Sequence, residues 1–202
     1  PDGVEACDLV YTTPSHQYPT MAKMSRARRD AFLDAARAAD ALILEDDYET
    51  EVNYTAPPTP ALRSLDPDGR VIYVSSLSKS LAPGLRIGFI VGPPAFIAEA
   101  RALRRLMLRH PPSNNQRAVA MFIAQGHLEK HARQLNSVFT RRWLALRDAL
   151  QTHLPDWRFD ADRSGTSVWI ECPVDIDTGA LAARAERAGV LIEPGHTFFM
   201  DR

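Results

Sequence analysis

An α/β fold, with a mainly parallel sheet covered by helices and a smaller α+β unit after it, is predicted by three features of the 202-residue sequence. Short apolar runs of strand length, Ala41-Leu42-Ile43-Leu44 and Val71-Ile72-Tyr73-Val74, alternate with segments of helical period. The order strand, helix, strand implies a parallel sheet covered by its crossover helices. From His127 to about His153 the apolar positions Leu128, Leu135, Val138, Phe139, Trp143, Leu146 and Leu150 recur at three- and four-residue steps, which predicts one long amphipathic helix.

Taken in order, Asp8 to Thr12 reads as a strand, and Ser25 as the N-cap of a helix reaching Ala39. Residues 41–46 form the next strand. The stretch from Asn53 to Asp68 carries four prolines (Pro57, Pro58, Pro60 and Pro67) and reads as irregular. Residues 71–74 are a buried strand, and Leu85 to Val91 another, stopped by Gly92-Pro93-Pro94. Pro94 to Arg109 has a helical pattern ended by His110-Pro111-Pro112. Asn115 to Ala124 is a helix closed by Gly126. Strands near 157–160 and 166–171, a helix from Asp177 to Ala188 and a strand at Val190-Leu191-Ile192 complete the α+β unit. The domain boundary is placed in the long helix, giving units 1–135 and 136–202.

The chemistry concentrates in Ser75-Ser76-Leu77-Ser78-Lys79-Ser80-Leu81-Ala82-Pro83-Gly84-Leu85-Arg86. This turn sets one lysine at a strand end. A lysine desolvated there has a lowered pKa and becomes a nucleophile toward an aldehyde. Ser76, Ser78, Ser80 and Arg86 are near enough in sequence to bind a phosphate. Aldehyde plus phosphate suggests pyridoxal phosphate, although lysines in serine-rich turns are commonly just solvated. In the second segment, Glu45-Asp46-Asp47-Tyr48, the two-residue period of a strand puts Asp46 and Tyr48 on one face and Asp47 on the other. An anion keeps a pyridine nitrogen protonated and a phenol bonds the ring oxygen, so Asp46 and Tyr48 suit those roles. An acidic loop after a buried strand is the plain alternative.

A third segment, Tyr11-Thr12-Thr13-Pro14-Ser15-His16-Gln17-Tyr18-Pro19-Thr20, resembles the TPSHQ(F/Y)P motif of MocR-type regulators. These fuse a winged helix-turn-helix of the GntR class to a domain similar to fold-type I aminotransferases. Glu45 to Glu51 is similar to the family's EDDYxSE, with Thr50 in place of the usual serine, and the resemblance runs on through Ser78 to Gly88 and Gly126 to His131 as far as Gly195. It implies that Lys79 is the Schiff-base lysine, that Asp46 pairs with the pyridine nitrogen and Tyr48 with the ring hydroxyl, and that Arg86, Ser76 and Ser78 hold the phosphate. His16, Tyr18 and His196 belong to loops that the family places around the pocket. Met21 stands where the corresponding turn of ordinary aminotransferases usually has glycine. The resemblance also implies a homodimer, an amino acid or pyridoxal phosphate as ligand, and DNA bound through a domain outside this chain. By the same comparison the sequence is a fragment. The glycine-bearing phosphate loop is expected before Pro1 and the arginine for the substrate carboxylate after Gly195. The alternative is a true aminotransferase, moving an amino group between an amino acid and a 2-keto acid.

Composition agrees with a soluble, cytoplasmic chain. The hydrophobic fraction is 45%, enough for a sizeable core, and no apolar run is long enough to span a bilayer. The net charge of −1 gives no overall drive toward nucleic acid. Arg26, Arg28 and Arg29 cluster at one helix start, while Arg101, Arg104, Arg105 and Arg109 stripe another helix as a solvated face or a docking face. Cys7 and Cys172 read as ordinary buried thiols. His127 and His131 have a metal-compatible i, i+4 spacing, but Glu129 points away from them, and no metal site is expected.

Overall fold

The computed structural model of the protein describes residues 3–49, 59–160 and 165–199. Its main sheet contains β1 (Leu9–Thr12), β2 (Leu42–Asp47), β3 (Val71–Ser76) and β4 (Gly88–Val91), side by side in that order. The first three strands are parallel and β4 is antiparallel to β3. Helix α1 (Arg26–Ala38) makes the crossover from β1 to β2. Its first turn is capped by the Ser25 hydroxyl, which accepts from the Arg28 amide at 3.4 Å. Phe32, Leu33 and Ala36, at helical spacing, pack with Ile43, Val71, Ala41 and Leu62 into the core. Each fully buried Phe or Leu contributes about 1.5–3 kcal/mol there.

The two-residue period of β2 then decides what faces what. Ile43, Glu45 and Asp47 point into the α1 side and are buried, whereas Leu44 and Asp46 point to the opposite face and are only partly covered. Asp47 is thereby spent on structure, as its Oδ2 accepts from the Tyr73 hydroxyl at 3.1 Å and its carbonyl from the Ser75 hydroxyl at 2.7 Å.

Beyond the sheet come α2 (Leu62–Leu65), α3 (Pro94–Leu108), α4 (Ser113–Ala124) and α5 (His127–His153), then the strand pair β5 (Arg158–Phe159) and β6 (Ile170–Glu171), and α6 (Thr178–Arg187). Gly126, left-handed at φ 72°, separates α4 from α5. The Asp177 carboxylate caps α6 by accepting from the amides of Gly179 and Ala180 at 2.9 and 3.0 Å. Helix α5 is continuous through residue 135.

Several expectations need correction. The strand expected over Leu85 to Val91 begins only at Gly88, because Pro83–Leu85 form a 3-10 turn and Arg86 is left-handed at φ 50°. All four β4 residues are exposed rather than buried, since among the described residues β4 has a strand neighbour on one side only. The proline-rich stretch contains the single helical turn α2, whose Leu62 and Arg63 amides are capped by Glu45 at 2.8 and 2.9 Å. Residues 50–58, including Thr50, Glu51, Pro57 and Pro58, lie outside the described residues. Val190-Leu191-Ile192 pairs with no strand among the described residues, and Leu191 is 82% exposed. Apolar content supplies a propensity, but a strand needs a partner edge. Cys7 is exposed and Cys172 half-buried, so neither is a core thiol. Arg29 leaves the basic cluster altogether, being fully buried. His127 and His131 lie against the Phe122 ring, at 5.4 and 6.3 Å between centroids. Among the described residues no helix is long and apolar enough to cross a membrane.

Candidate functional site

The open face of β2 and the turn after β3 converge on a cleft of about 320 Å³ lined by Asp46, Tyr48, Lys79, Tyr11, Tyr18 and Glu49, among others. Asp46 and Tyr48 do share this face, as the strand period predicts. The sheet register adds a residue that sequence reasoning missed. Tyr11 is paired with Leu44, one diagonal step from Asp46 on the same face, and its hydroxyl donates to Asp46 Oδ2 at 2.6 Å. That bond, with some burial and the carboxylate's charge, pushes the Tyr11 phenol up to about 12. The Tyr48 phenol is also raised, first by burial and then by the charges of Glu49 and Asp46, and it donates to the His16 carbonyl at 2.9 Å. Both hydroxyls are therefore protonated donors at neutral pH beside one carboxylate. Only the alternation of Leu9 and Tyr11 on β1 hinted at Tyr11, and without the register it has no address.

Lys79 projects from the β3–β4 turn. Its Nζ lies 3.3 Å from Glu49 Oε1 and 5.8 Å from the centre of the Tyr48 ring. The expected desolvation is not found. The Lys79 side chain is 51% exposed, because the turn stands at the sheet's edge and the cleft is open beside it. The base of the turn is closed by Leu77, whose amide donates to the Ile87 carbonyl at 2.9 Å. One residue inward, Gly88 opposes Ser76, and a Cβ on it would stand 2.7 Å from the Ser75 carbonyl oxygen. Only glycine lets the arms close this tightly. The Ser76 hydroxyl accepts from the Ser78 amide at 3.2 Å, and the buried Ser80 hydroxyl has no hydrogen-bond partner among the described residues. Ser76, Ser78 and Arg86 lie in the stretch from the end of β3 to β4, but they do not line the cleft with Asp46 and Lys79.

The segment 13–24 folds over the end of β1. Gln17 pairs with Ala22, the Gln17 amide donating to the Ala22 carbonyl at 3.0 Å, and the Met24 amide donates to the Pro14 carbonyl at 2.9 Å. Met21, where the resemblance led to an expectation of glycine, is left-handed at φ 56° and 1% exposed. Arg29 anchors the segment from beneath, donating to the carbonyls of Pro14, Met24 and Pro60 at 2.9, 3.0 and 3.1 Å, with Glu45 at 3.7 Å. Burial lowers the Arg29 pKa and raises that of Glu45, while the two amides of α2 pull Glu45 back down.

Tyr18 and Ser167 also border a second, larger cavity of about 760 Å³, lined by Trp157, Trp169, Glu193, His196 and Phe198 among others. The Tyr18 hydroxyl donates to Glu193 Oε2 at 2.5 Å, and its ring meets Phe198 edge-on at 5.2 Å. His196 sits 3.4 Å from the Thr178 hydroxyl. Of the loop residues singled out by sequence, Tyr18 therefore joins both cavities, His196 borders the larger one, and His16 is buried under Tyr48.

Burial holds the His16 imidazole below its ordinary value of 6.5, against the opposing charge of Glu49. The folded state binds a proton on His16 less readily than the unfolded chain does. This contribution to stability is thus complete above pH 6.5 and is lost as pH falls below it toward the lowered folded value. Urea midpoints taken between about pH 5 and 8 should fall on the acid side, and His16→Asn should flatten that slope relative to wild type. Equal slopes would remove His16 as the source.

The fold and this cleft define an α/β cofactor-handling domain in which an acid, phenols and a lysine meet at a sheet edge. The chain belongs to the aminotransferase class I and II family, which matches residues 7–200 and implies pyridoxal phosphate as cofactor. It is similar to the HTH-type transcriptional regulator TauR of Rhodobacter capsulatus, 44% identical over 95% of this chain and 40% of that protein. It is also similar to the probable rhizopine catabolism regulatory protein MocR of Rhizobium meliloti, 32% identical over 92% of this chain and 38% of the relative. Among solved structures, a Pyrococcus horikoshii kynurenine aminotransferase in complex with PMP aligns with a TM-score of 0.89 at 32% identity, covering 95% of this chain and 48% of that one. The MocR-type resemblance and the fold-type I expectation are both met. The chain spans less than half the length of each of these relatives.

The residues present fit the cofactor. The Asp46 carboxylate, phenols held protonated and a primary amine line one cleft, and the buried Ser80 hydroxyl, without a hydrogen-bond partner among the described residues, follows the lysine in the chain.

Proposed function

We propose that this chain is the pyridoxal-phosphate-binding, aminotransferase-like effector part of a MocR-type transcriptional regulator. It would respond to an amino acid or to the cofactor and act on DNA through a domain outside this chain. The observation that carries the reading is the cleft in which Asp46, Tyr48 and Lys79 converge. The branch is supported by 44% identity to a regulator.

In this reading the bound cofactor supplies an aldehyde for amine chemistry and an electron-withdrawing pyridine ring. Lys79 would be the amine that holds the cofactor through its aldehyde. Asp46, oriented by Tyr11, presents its negative charge to the ring nitrogen and keeps a proton there. Tyr48, whose own proton is committed to the His16 carbonyl, offers its oxygen to the ring hydroxyl. Ser76, Ser78 and Arg86, from the end of β3 to β4, would serve the phosphate, while Tyr18 and His196 border the space for the amino acid. We place the large-domain part at 1–135 and the small-domain part at 136–202, in a cytoplasmic homodimer.

The test is borohydride trapping of pyridoxal phosphate on the full-length protein, read by peptide mass. Label is expected on Lys79 and absent from Lys79→Ala, with the near-ultraviolet circular dichroism unchanged. Equal labelling of the two proteins would defeat the assignment. A second reading, a true aminotransferase with Lys79 as the proton-transferring base, is favoured by the 0.89 TM-score to the kynurenine aminotransferase. Turnover of an amino acid with a 2-keto acid, together with DNA affinity indifferent to cofactor and amino acid, would select it.

A further inference from the structure

Glu49 is a buried carboxylate, 2% exposed, to which neither reading gives a role. Its Oε2 accepts from the Thr166 amide at 3.0 Å, while its Oε1 is shared between the Thr166 hydroxyl and Lys79 Nζ. Glu49 and Thr166 lie 117 positions apart, so this carboxylate joins the end of β2, the lysine turn and the segment leading into β6. The close approach of that segment depends on Gly165, left-handed at φ 124°. A Cβ there would lie 2.3 Å from the Met21 methyl and 3.1 Å from Glu49 Oε2.

We propose that Glu49 is a positioning residue that holds the Lys79 ammonium and the Thr166 segment through one shared carboxylate, coupling the state of the lysine to the docking of that segment. A buried carboxylate is costly without partners, and its partners here come from two separate parts of the chain. Thr166 and Lys79 compete for the same oxygen, so weakening one contact strengthens the other. When the Lys79 nitrogen is engaged elsewhere, Glu49 keeps its two Thr166 contacts, and by linkage whatever moves Thr166 feeds back on the lysine with equal free energy. The functional meaning of this coupling rests on Lys79 being the cofactor lysine.

The test uses the full-length protein without pyridoxal phosphate. Its amines are acylated with acetic anhydride at mildly alkaline pH, and the rate at Lys79 is read by peptide mass against Lys130 as internal reference. Only the free amine reacts, so Glu49→Gln should speed Lys79 acylation by about two- to fivefold, the range of a half-exposed ion pair. Thr166→Val keeps the side-chain shape and removes the competing donor, so it should slow Lys79. Opposite responses are a signature that general loosening does not produce. Rates at Lys79 that match wild type in both variants, or that rise in both together with Lys130, overturn the proposal. If Glu49→Gln does not fold, Thr166→Val decides alone, with slower acylation supporting and unchanged or faster acylation refuting. Because no cofactor is present, failure of trapping on Lys79 would sink the cofactor reading without touching this result.

Discussion

Arg29→Ala is expected to lower the unfolding free energy by about 3–5 kcal/mol, as removing one partner of a buried ion pair does. That is a large share of the roughly 5–15 kcal/mol that holds an ordinary domain together. Arg29 and Glu45 are both fully buried, so deletion leaves the Glu45 carboxylate without this cation and dependent on the two α2 amides. It also strips a donor from each of the carbonyls of Pro14, Met24 and Pro60. The damage should reach the cleft, because the Pro14 to Met24 segment is pinned at Pro14 and carries both Tyr18 and the His16 carbonyl that accepts from Tyr48. Urea midpoints of the full-length protein check this, with Arg28→Ala as the neighbour control. Arg28 is exposed one position away, and its loss should cost no more than about 0.5 kcal/mol. A midpoint shift for Arg29→Ala no larger than that of Arg28→Ala would rule out the anchoring role.

Asp46→Asn should weaken pyridoxal phosphate binding by about 10- to 100-fold, the loss expected when a charged hydrogen-bond partner is made neutral. The substitution keeps size and shape, so the fold is expected to hold. A cofactor-independent signature accompanies it. The Tyr11 phenol stands at about 12 chiefly because it donates to Asp46, and without that carboxylate it should ionise nearer its ordinary value of 10. Difference absorbance of tyrosinate against alkaline pH, compared with Tyr11→Phe, isolates this group. Undiminished cofactor affinity in Asp46→Asn would take Asp46 out of the ring-nitrogen role. An unmoved Tyr11 titration would break the link between the two side chains.

Much of the architecture is local and was legible for that reason. Ser25 and Asp177 bond amides a turn away, so the starts of α1 and α6 could be placed from sequence. The apolar repeat from His127 to His153 is one continuous helix. The period of β2 separated Asp46 and Tyr48 from Asp47 before any contact was known, and the side chains follow that division.

What the sequence by itself determined was therefore the strand and helix alternation, the faces of β2 and the lysine turn, since each depends on residues within a few positions of one another. The tertiary structure alone decided the rest. It withdrew Arg29 from the surface, because three carbonyls and Glu45, from the 13–24 segment, the loop at Pro60 and β2, meet there. Pairing Tyr11 with Asp46 required the sheet register, and bringing Thr166 to Glu49 required 117 residues to fold back. Lys79 remains half exposed although its neighbours read as a buried strand end, and Val190 to Ile192 has strand propensity without a strand beside it. Burial, charge pairing and strand partnership are properties of neighbours in space, and a chain names only its neighbours in sequence.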